Sequence, residues 1–460
     1  MDTPNSNVAE RDTRVTADLH ADPVSTSHPM RRLALASMIG TTLEWYDFAL
    51  YNAMAALIFN RVFFPSFSPL AGTLMAFSTY AVGYFARPIG GTIFGRLGDR
   101  LGRRDVLTLT LTIMGATTFL MSLLPGYATI GVASPLLLVT LRFIQGVALG
   151  GEWAGAVLLS AEHGAHANRG LNGSWAQVGP SAGTLLATAG IGLTTWCFTD
   201  SDFVSWGWRV PFVVSAVLVV FGLWLRRSVP ETPDFAKLKA GNETAQFPIT
   251  EVFTSHKRAL LIACMSKFGP DVIYNLNVTF SLTYATQILH LGRTAALIAV
   301  WIGAALNAVA VPYFGALSDR LGRRAVYGAG IAAAALWTFS FFPLLNSGWQ
   351  SALVIGVAVG LICHAAMFGP QAAFITEQFP TRVRYTGASL AVTLAGLLSG
   401  STPVILLTLL TTFHSPIPLS LYATALLVLR ETLINGPTSE VAGEMASNFL
   451  DDEANRRSIQ

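Results

Sequence analysis

The sequence predicts an all-α membrane protein with twelve transmembrane helices in two six-helix bundles. Three observations predict this fold class: only 12% of the 460 residues are charged, the mean hydropathy is +0.52, and one loop motif occurs twice. A soluble chain carries roughly 25% charged residues, which excludes an ordinary soluble enzyme. The net charge of +3 is too small for a nucleic-acid-binding protein.

Long stretches without Asp, Glu, Lys or Arg predict the spans. A membrane helix needs about 20 mostly apolar residues to cross a hydrocarbon core of roughly 30 Å, so turns such as Pro125-Gly126 must divide the longest stretches. The predicted spans are residues 33–59, 70–94, 106–124, 134–161, 170–196, 207–226, 257–288, 294–317, 325–345, 349–376, 385–412 and 416–429. The last is only about 21 Å long. Either that helix continues through Arg430 and Glu431, or the chain carries a small deletion there.

The basic residues predict the orientation. Most of the 29 Lys and Arg residues fall in loops and tails that lie on one side when the N-terminus is cytoplasmic, and basic residues accumulate on that side. Both termini are therefore expected in the cytoplasm. The predicted divisions are an N-terminal tail at 1–32, bundles at 33–226 and 257–429, a central cytoplasmic loop at 227–256 and a C-terminal tail at 430–460.

An internal repeat organises the chain. Residues 95–106 read Gly-Arg-Leu-Gly-Asp-Arg-Leu-Gly-Arg-Arg-Asp-Val, and residues 315–326 read Gly-Ala-Leu-Ser-Asp-Arg-Leu-Gly-Arg-Arg-Ala-Val. Both copies lie between the second and third span of a half, which indicates a duplication with a substrate site between the halves. We interpret the charged residues of both loops as latches that form when the inner side closes. They are Asp99, Arg100, Arg103, Arg104, Asp319, Arg320, Arg323 and Arg324.

These repeated loops and the 6+6 layout resemble the major facilitator superfamily. Further motifs resemble its metabolite:proton symporter family, most of all the shikimate-transporter-like branch. They are Gly-Thr-Thr-Leu-Glu-Trp-Tyr-Asp-Phe at 40–48, Arg-Pro-Ile-Gly-Gly at 87–91, Arg-Phe-Ile-Gln-Gly at 142–146, Gly-Gly-Glu-Trp at 150–153 and Trp-Gly-Trp-Arg-Val-Pro-Phe at 206–212. The resemblance implies a monomer in the bacterial inner membrane. Such proteins import organic acids such as citrate or shikimate, or zwitterions such as proline and betaine, with a proton.

Charged residues inside the predicted spans are candidates for the mechanism, because a charge at the bilayer centre costs about 2.5–3.5 kcal/mol even on insertion scales. Glu44 and Asp47 share a helix face and lie roughly 16–21 Å into the first span, with Tyr51 one turn further. Arg142 reaches a similar depth on the fourth span. We expect Asp47 and Arg142 to form a switchable pair, in which protonation of Asp47 releases Arg142. Asp47, with Glu44, would carry the proton, and Arg142, with Gln145 and Tyr51, would hold a substrate carboxylate.

The coupling hypothesis follows from electrostatics. Desolvation raises the pKa of a buried carboxylate and a nearby arginine lowers it; an anion bound to that arginine cancels the second effect. Proton and anion then favour each other, as symport requires. The alternative is a permanent salt bridge that only joins the first and fourth spans.

Other charged and polar residues complete the predicted site. Lys267 and Asp271 lie one turn apart on the seventh span, followed by Tyr274 and Asn275, and are expected to contact substrate or only each other. Arg87 is expected to gate the cavity or to reach the membrane surface. Glu152, roughly 15 Å nearer the cytoplasm than Arg142, suits an inner gate.

The sequence contains no hydrolase, phosphate-loop or metalloprotease motif, so an enzyme is excluded and neither a cofactor nor a metal is expected. The leading hypothesis is uptake of a small organic anion with a proton, with the lipid bilayer as the other partner. Alternatives are a proton-coupled exporter of drugs or metabolites, a proline or betaine symporter, and a sensor that binds without transporting.

Overall fold

The computed structural model describes residues 30–101, 103–150, 168–227, 248–347, 349–380 and 383–435. These residues form long helices joined by short turns, with no strand in the ranges given. The long helices are α1 (Met30–Leu57), α2 (Pro69–Leu101), α3 (Arg103–Ser122), α4 (Ala133–Leu149), α5 (Arg169–Cys197), α6 (Val210–Arg227), α7 (Lys257–Asn275), α8 (Arg293–Leu321), α9 (Arg323–Leu345), α10 (Gln350–Glu377), α11 (Arg384–Ser399), α12 (Thr402–Phe413) and α13 (Ile417–Asn435). Short helices occupy Phe59–Phe63, Tyr127–Ile130, Asp200–Ser205, Gly207–Arg209 and Pro248–Ser255.

Several helices are long and apolar enough to cross a membrane. Within the described ranges, five segments meet the requirement by length and composition: Gly207–Trp224, Arg293–Leu321, Arg323–Leu345, Ser351–Glu377 and Thr386–Phe413. Shorter apolar helices occur at Thr108–Ser122, Ala133–Leu149 and Ile417–Leu429. The all-α membrane fold is therefore confirmed, while the count of twelve spans stays a prediction.

The twelfth predicted span is longer than its apolar core. Helix α13 has 19 residues and ends at Asn435, which corresponds to roughly 28 Å. Of the two alternatives left by the sequence, the structure therefore shows the helix continuing past Arg430 and Glu431.

Two predicted spans are irregular. After Asn275, the helix begun by α7 continues through π-helical turns at Leu276–Phe280 and Tyr284–Ile288, with Ser281–Thr283 between them. Such wider turns are frequent at functional sites. The eleventh span is interrupted between α11 and α12, where a side chain on Gly400 would collide with the Tyr84 ring of α2. Glycine is required because two helices meet there.

The helices from the two halves of the chain pack along α5. Helix α5 lies between α1 and α8, and α8 packs against α10, so α5 joins the halves through the middle of the molecule. Helix α2 contacts α4 within its own half and α11 and α12 of the other half. One end of the molecule, beyond Cys197, carries Asp200, and the other, near Gly170, carries Asp319; we call them the Asp200 end and the Asp319 end.

Glycine allows a close contact between α2 and α4. A Cβ on Gly146 of α4 would lie 2.8 Å from the Cα of Gly83 on α2 and closer still to its carbonyl oxygen. Close backbone approach through small residues is a usual way for membrane helices to associate. This contact fixes α4, and with it Arg142, against α2.

We expect Gly146→Ala to destabilise the protein by about 1–3 kcal/mol, because the methyl group must push two backbones apart. The measurement is thermal unfolding of the purified protein in detergent. Gly192→Ala is the matched control, since a Cβ at Gly192 on α5 meets no atom within 4 Å. Equal unfolding temperatures for the two variants would contradict the contact.

Candidate functional site

The central site lies between the two halves, near the middle of α5. Two adjoining cavities share the walls Trp45, Tyr84 and Asp271. The first cavity is also lined by Glu44, Arg87, Leu149, Gly150, Lys267, Ser389, Val392 and Thr393. The second is also lined by Phe48, Ala49, Asn52, Tyr80, Thr184, Tyr274, Asn275 and Val278. Residues far apart in sequence thus meet at one place, as the repeat predicts.

Asp47 is buried on α1 and held by hydroxyl groups. Its Oδ2 accepts a hydrogen bond of 2.9 Å from Thr118 Oγ1 on α3, and its Oδ1 accepts one from Ser215 Oγ on α6. A carboxylate taken out of water needs such donors, because an unpaired buried charge is costly. The hydroxyls keep Asp47 in a fixed position inside the first half.

Arg142 and Asp47 are connected indirectly. Arg142 Nη1 donates to Gln145 Oε1 at 2.5 Å, and Gln145 Nε2 donates to Thr118 Oγ1 at 2.8 Å. Thr118 in turn donates to Asp47. The contacts between described residues include no direct ion pair of Asp47 with Arg142, so the pair expected from the sequence is a chain of three hydrogen bonds.

Aromatic rings surround the Arg142 guanidinium. Its central carbon lies 4.2 Å from the ring centroids of Phe48 and Tyr51 and 5.1 Å from that of Tyr80. The side chain is fully buried, and cation–π attraction offsets part of the desolvation cost. The Tyr51 hydroxyl is 2.5 Å from Thr79 Oγ1, which fixes that ring.

Two N–H groups of Arg142, on Nε and Nη2, are buried without a hydrogen-bond partner among the described residues. Leaving a buried donor unpaired costs about 1–3 kcal/mol, and more for a charged group. A carboxylate binds two such N–H groups side by side. These donors are chemically suited to an anionic oxygen pair, although Arg142 itself is buried behind the walls of the two cavities and lines neither of them.

Arg87 also lies near Phe48. Its guanidinium carbon is 3.8 Å from the Tyr84 ring centroid and 5.0 Å from that of Phe48. Its Nε and Nη2 are also buried without hydrogen-bond partners in the described part of the chain. Glu44, which is buried, lines the same cavity. Arg87 thus lies at the cavity rather than at a membrane surface.

The second half contributes an ion pair to the cavity. Lys267 Nζ pairs with Asp271 Oδ1, and Ser399 Oγ on α11 donates to Asp271 Oδ2 at 3.2 Å. Asn275 Nδ2 donates to the Asp271 carbonyl oxygen at 2.9 Å, and its own Oδ1 has no hydrogen-bond partner in the described structure. The pair faces the cavity instead of lipid.

A tyrosine joins the halves across the cavity. The Tyr274 hydroxyl lies 2.5 Å from Thr184 Oγ1 on α5, and its ring is 5.2 Å from that of His364. Nearby, Ser181 Oγ donates to Asn307 Oδ1 at 2.5 Å, and Asn307 Nδ2 lies 3.0 Å from His364 Nδ1. These contacts close the halves around the site.

The Asp319 end is held by a helix cap that crosses the halves. Asp319 accepts hydrogen bonds of 2.9 Å from the backbone N–H groups of Gly170 and Leu171, at the start of α5. Arg323 donates to Asp319 Oδ1 at 2.6 Å and lies 3.6 Å from Glu377. A carboxylate there also interacts favourably with the helix dipole. Arg320 and Arg324 are exposed.

The first copy of the latch motif cannot be compared with the second. The side chains of Asp99, Arg100, Arg103 and Arg104 lie outside the described residues, as does the whole of Glu152. Their assigned roles as gates therefore stay predictions.

At the Asp200 end, one carboxylate joins two arginines. Asp200 lies 3.1 Å from Arg61 of the first half and 3.1 Å from Arg293, which begins α8. The hydrogen bond from Arg61 lowers the pKa of Asp200 below its ordinary value, and the charge of Arg293 adds to this. Because the pKa of Asp200 is lowered, its carboxylate stays charged until the pH falls through that lowered value, and only then do the ion pairs lose their contribution to stability. The ion pairs therefore persist between about pH 5 and 8.

Sequence reasoning missed Thr118 and Ser215, which hold Asp47. Thr118 lies in a charge-free stretch that contains several other hydroxyl residues, whereas Ser215 is the only hydroxyl residue between Arg209 and Arg226. Such residues usually bond to their own helix backbone, as Thr117 does. The isolated position of Ser215 in an apolar stretch is a signal that could have singled it out, but Thr118 has no such signal.

Comparisons with known proteins give the same fold and relate the chain to transporters. The model of the Major Facilitator Superfamily matches residues 37–428. The shikimate transporter of Escherichia coli is 39% identical over 415 residues, which cover 89% of this chain and 93% of that protein. The inner membrane metabolite transport protein YhjE of the same organism is 38% identical over 396 residues, covering 85% and 89%.

A more distant relative and a solved structure extend the comparison. The proline/betaine transporter of Salmonella typhimurium is 32% identical over 388 residues, which cover 82% of this chain and 77% of that protein. The solved structure is that of the proton:xylose symporter XylE bound to 6-bromo-6-deoxy-D-glucose. It superposes with a TM-score of 0.71 at 18% identity, over 89% of this chain and 95% of that one. At that identity, the similarity shows the fold alone.

We expect Asp319→Asn to open the Asp319 end, because an amide accepts from only one of the two N–H groups and does not pair with Arg323. Losing a helix cap costs about 0.5–2 kcal/mol. Ser174 is buried against Gly315, so a cysteine introduced in its place becomes accessible to an alkylating reagent only when this end opens. We expect Ser174→Cys to be alkylated roughly fivefold faster in the Asp319→Asn background; the distant Asp202→Asn is the control. An unchanged rate would contradict the latch.

Proposed function

The chain belongs to the major facilitator superfamily, and from that premise we propose that it imports a small organic acid together with a proton. It is a multi-pass membrane transporter and not an enzyme. The substrate that we propose is a hydroxylated carboxylate such as shikimate, the coupling ion is H⁺, and no cofactor takes part. The observation that carries this proposal is the buried Arg142 with two unpaired N–H groups.

Arg142 is suited to a substrate carboxylate in both charge and shape. Its planar fork makes two parallel hydrogen bonds to a carboxylate, and it stays charged in a dry site. The guanidinium makes cation–π contacts with the rings of Phe48, Tyr51 and Tyr80. The Nε and Nη2 donors have no hydrogen-bond partner among the described residues, and they bind the substrate once the site opens to them.

Coupling to the proton passes through Thr118. Every donor in the chain from Arg142 through Gln145 and Thr118 points toward Asp47, so the chain is ordered by the negative charge of the carboxylate. Thr118 Oγ1 also lies 3.0 Å from the carbonyl oxygen of Met114. When Asp47 takes up a proton, the single hydroxyl hydrogen of Thr118 can turn to Met114. Arg142 then loses its counter-charge and binds the substrate anion more strongly.

The relatives support this substrate class and coupling ion. One of them is named a shikimate transporter, and the structural neighbour is named a proton:xylose symporter. A second candidate substrate is a zwitterion, because another relative is named a proline/betaine transporter. Glu44 and Asp271 line the cavity and supply carboxylates for its cationic group.

We further propose the working cycle and orientation. The bundles at 33–226 and 257–429 would rock against each other as one functional monomer, opening the central site to each side in turn. The Asp319 end would face the cytoplasm, together with both termini, the tails at 1–32 and 430–460 and the loop at 227–256. The helix cap at Asp319 supports this, because it joins the halves as a closed inner gate would.

The function is tested in proteoliposomes that contain the purified protein. Shikimate, citrate, 2-oxoglutarate, proline and betaine are offered with the outside more acidic than the inside. We expect accumulation of a carboxylate, abolished when an ionophore collapses the proton gradient. Accumulation that survives the ionophore would contradict proton coupling, and accumulation of proline or betaine alone would favour the zwitterion.

We expect Asp47→Asn to abolish proton-driven accumulation but to retain exchange of substrate across the membrane. The amide of the variant occupies the space of the carboxylate but has no charge. The variant therefore resembles the wild-type protein with Asp47 permanently protonated. Exchange is measured with labelled substrate outside and unlabelled substrate inside. Loss of both activities with normal folding, or of neither, would contradict the assigned role.

We expect Thr118→Val to lower proton-driven accumulation roughly tenfold, because a hydrogen bond to a charged group contributes about 1.5–3 kcal/mol. Thr117→Val is the matched control. Thr117 is the neighbouring residue, and within the described residues its hydroxyl bonds only to the Ile113 and Met114 carbonyl oxygens of its own helix. If both variants behave alike, Thr118 does not couple Asp47 to Arg142.

The proposed orientation predicts the reactivity of one cysteine. Cys197 is exposed at the Asp200 end, whereas Cys264 and Cys363 are buried. We expect a membrane-impermeant maleimide to label Cys197 in intact cells, with Cys197→Ser as the control. Labelling only after the membrane is permeabilised would place the Asp200 end in the cytoplasm.

A further inference from the structure

A further cavity, separate from the two central ones, opens between the halves at the Asp200 end, with a volume of about 430 Å³. The first half contributes Asn60, Arg61, Thr195 and Asp200 to its polar lining, and the second half contributes Thr286, Gln287, Arg293 and Thr294. The central site lies at the middle of α5, whereas this cavity surrounds its last turn. A solute that enters from the Asp200 end therefore meets this cavity before it meets the central site.

The charge of this cavity favours an anion. Two guanidinium groups line it, and Asp200 is the sole acid among the described lining residues. Asp200 pairs with both arginines, so the cavity keeps one excess positive charge. The side chain of Asp200 is 62% exposed. Ion pairs at such exposure are weak, so an arriving carboxylate can compete for either arginine.

An unpaired acceptor lies in the same lining. Gln287 Nε2 donates to Thr73 Oγ1 at 2.7 Å, across the halves, while Gln287 Oε1 is buried without a partner in the described structure. A buried carbonyl oxygen without a donor costs free energy that a hydroxyl group of a ligand would recover. Guanidinium groups and a free amide oxygen together suit a carboxylate that also carries a hydroxyl group.

We propose that this cavity is an entry site for hydroxylated carboxylates, in which the anion displaces Asp200 from Arg61 and Arg293 before it reaches Arg142. The inference rests on the proposed function for the direction of passage, but binding in the cavity does not require transport. Asp200 acts here as a competing anion. Removing its charge therefore strengthens binding of the solute, whereas a purely structural ion pair would give the opposite result or none.

The first measurement is equilibrium binding of radiolabelled shikimate to purified protein with the central site disabled by Arg142→Gln. We expect saturable binding in this protein and its loss when Arg293→Gln is added. Adding Asp200→Asn should tighten binding roughly two- to fivefold, since one competing charge is removed. Asp202→Asn is the matched control, because Asp202 is two residues away, accepts a hydrogen bond from Thr199 and does not line the cavity. We expect Asp202→Asn to leave the affinity for shikimate unchanged.

The second measurement keeps Arg142 and therefore does not depend on the folding of Arg142→Gln. In proteoliposomes, Asp200→Asn should lower the KM for shikimate uptake roughly two- to fivefold at unchanged kcat, and Arg293→Gln should raise it by a similar factor. Added salt should weaken both effects, because exposed charges are screened.

The outcomes separate the two proposals. Absence of saturable shikimate binding to Arg142→Gln protein with a normal unfolding temperature overturns the entry site. A KM that is unchanged or raised by Asp200→Asn overturns it too. Uptake by the unmodified protein would then still support the proposed function. Conversely, binding that responds to Arg293 and Asp200 without any proton-driven uptake supports the entry site and contradicts the proposed function.

Discussion

The charge of Arg142, which contacts no acid directly among the described residues, is the constraint on which the rest of the central site depends. A guanidinium this deeply buried needs compensation on every side. Aromatic rings at the guanidinium provide part of it, and the chain through Gln145 and Thr118 to Asp47 provides another part. The Nε and Nη2 donors stay without hydrogen-bond partners among the described residues. Space is equally limiting: a Cβ on Gly83 would lie 2.9 Å from Arg142 Nε, so α2 must present glycine there. The packing of α2 and the compensation of the Arg142 charge therefore depend on each other at this site.

Polar contacts between the halves occur at three levels. Asp319 caps α5 at one end, Tyr274 meets Thr184 in the centre, and Asp200 pairs with Arg293 at the other end. A transporter that alternates must break such contacts at one end while it keeps them at the other. Each involves few groups: two backbone hydrogen bonds to Asp319, one hydrogen bond between Tyr274 and Thr184, and one ion pair of Asp200 with Arg293. The free energy needed to exchange them is therefore modest.

The irregular helices lie beside these contacts. The π-helical turns after Asn275 and the interruption at Gly400 both occur in second-half helices that face the cavity. Non-helical backbone at membrane depth is tolerated where it is buried in protein or lines a cavity. Both irregularities bring backbone and side chains of the second half toward α1 and α2, where Arg87 and Tyr84 lie.

The sequence by itself determined the membrane-helical fold, the superfamily and the charged residues of the centre. The cost of burying a charge belongs to each residue and its apolar neighbours along the chain, so Asp47, Arg142, Lys267 and Asp271 are visible in the sequence. Only the tertiary structure decided what these residues contact. That Thr118 faces Asp47, that Gln145 stands between Arg142 and Thr118, and that Asp200 lies between Arg61 and Arg293 depend on how distant helices are rotated and crossed. Sequence periodicity fixes the face of one helix but not the helix that it meets.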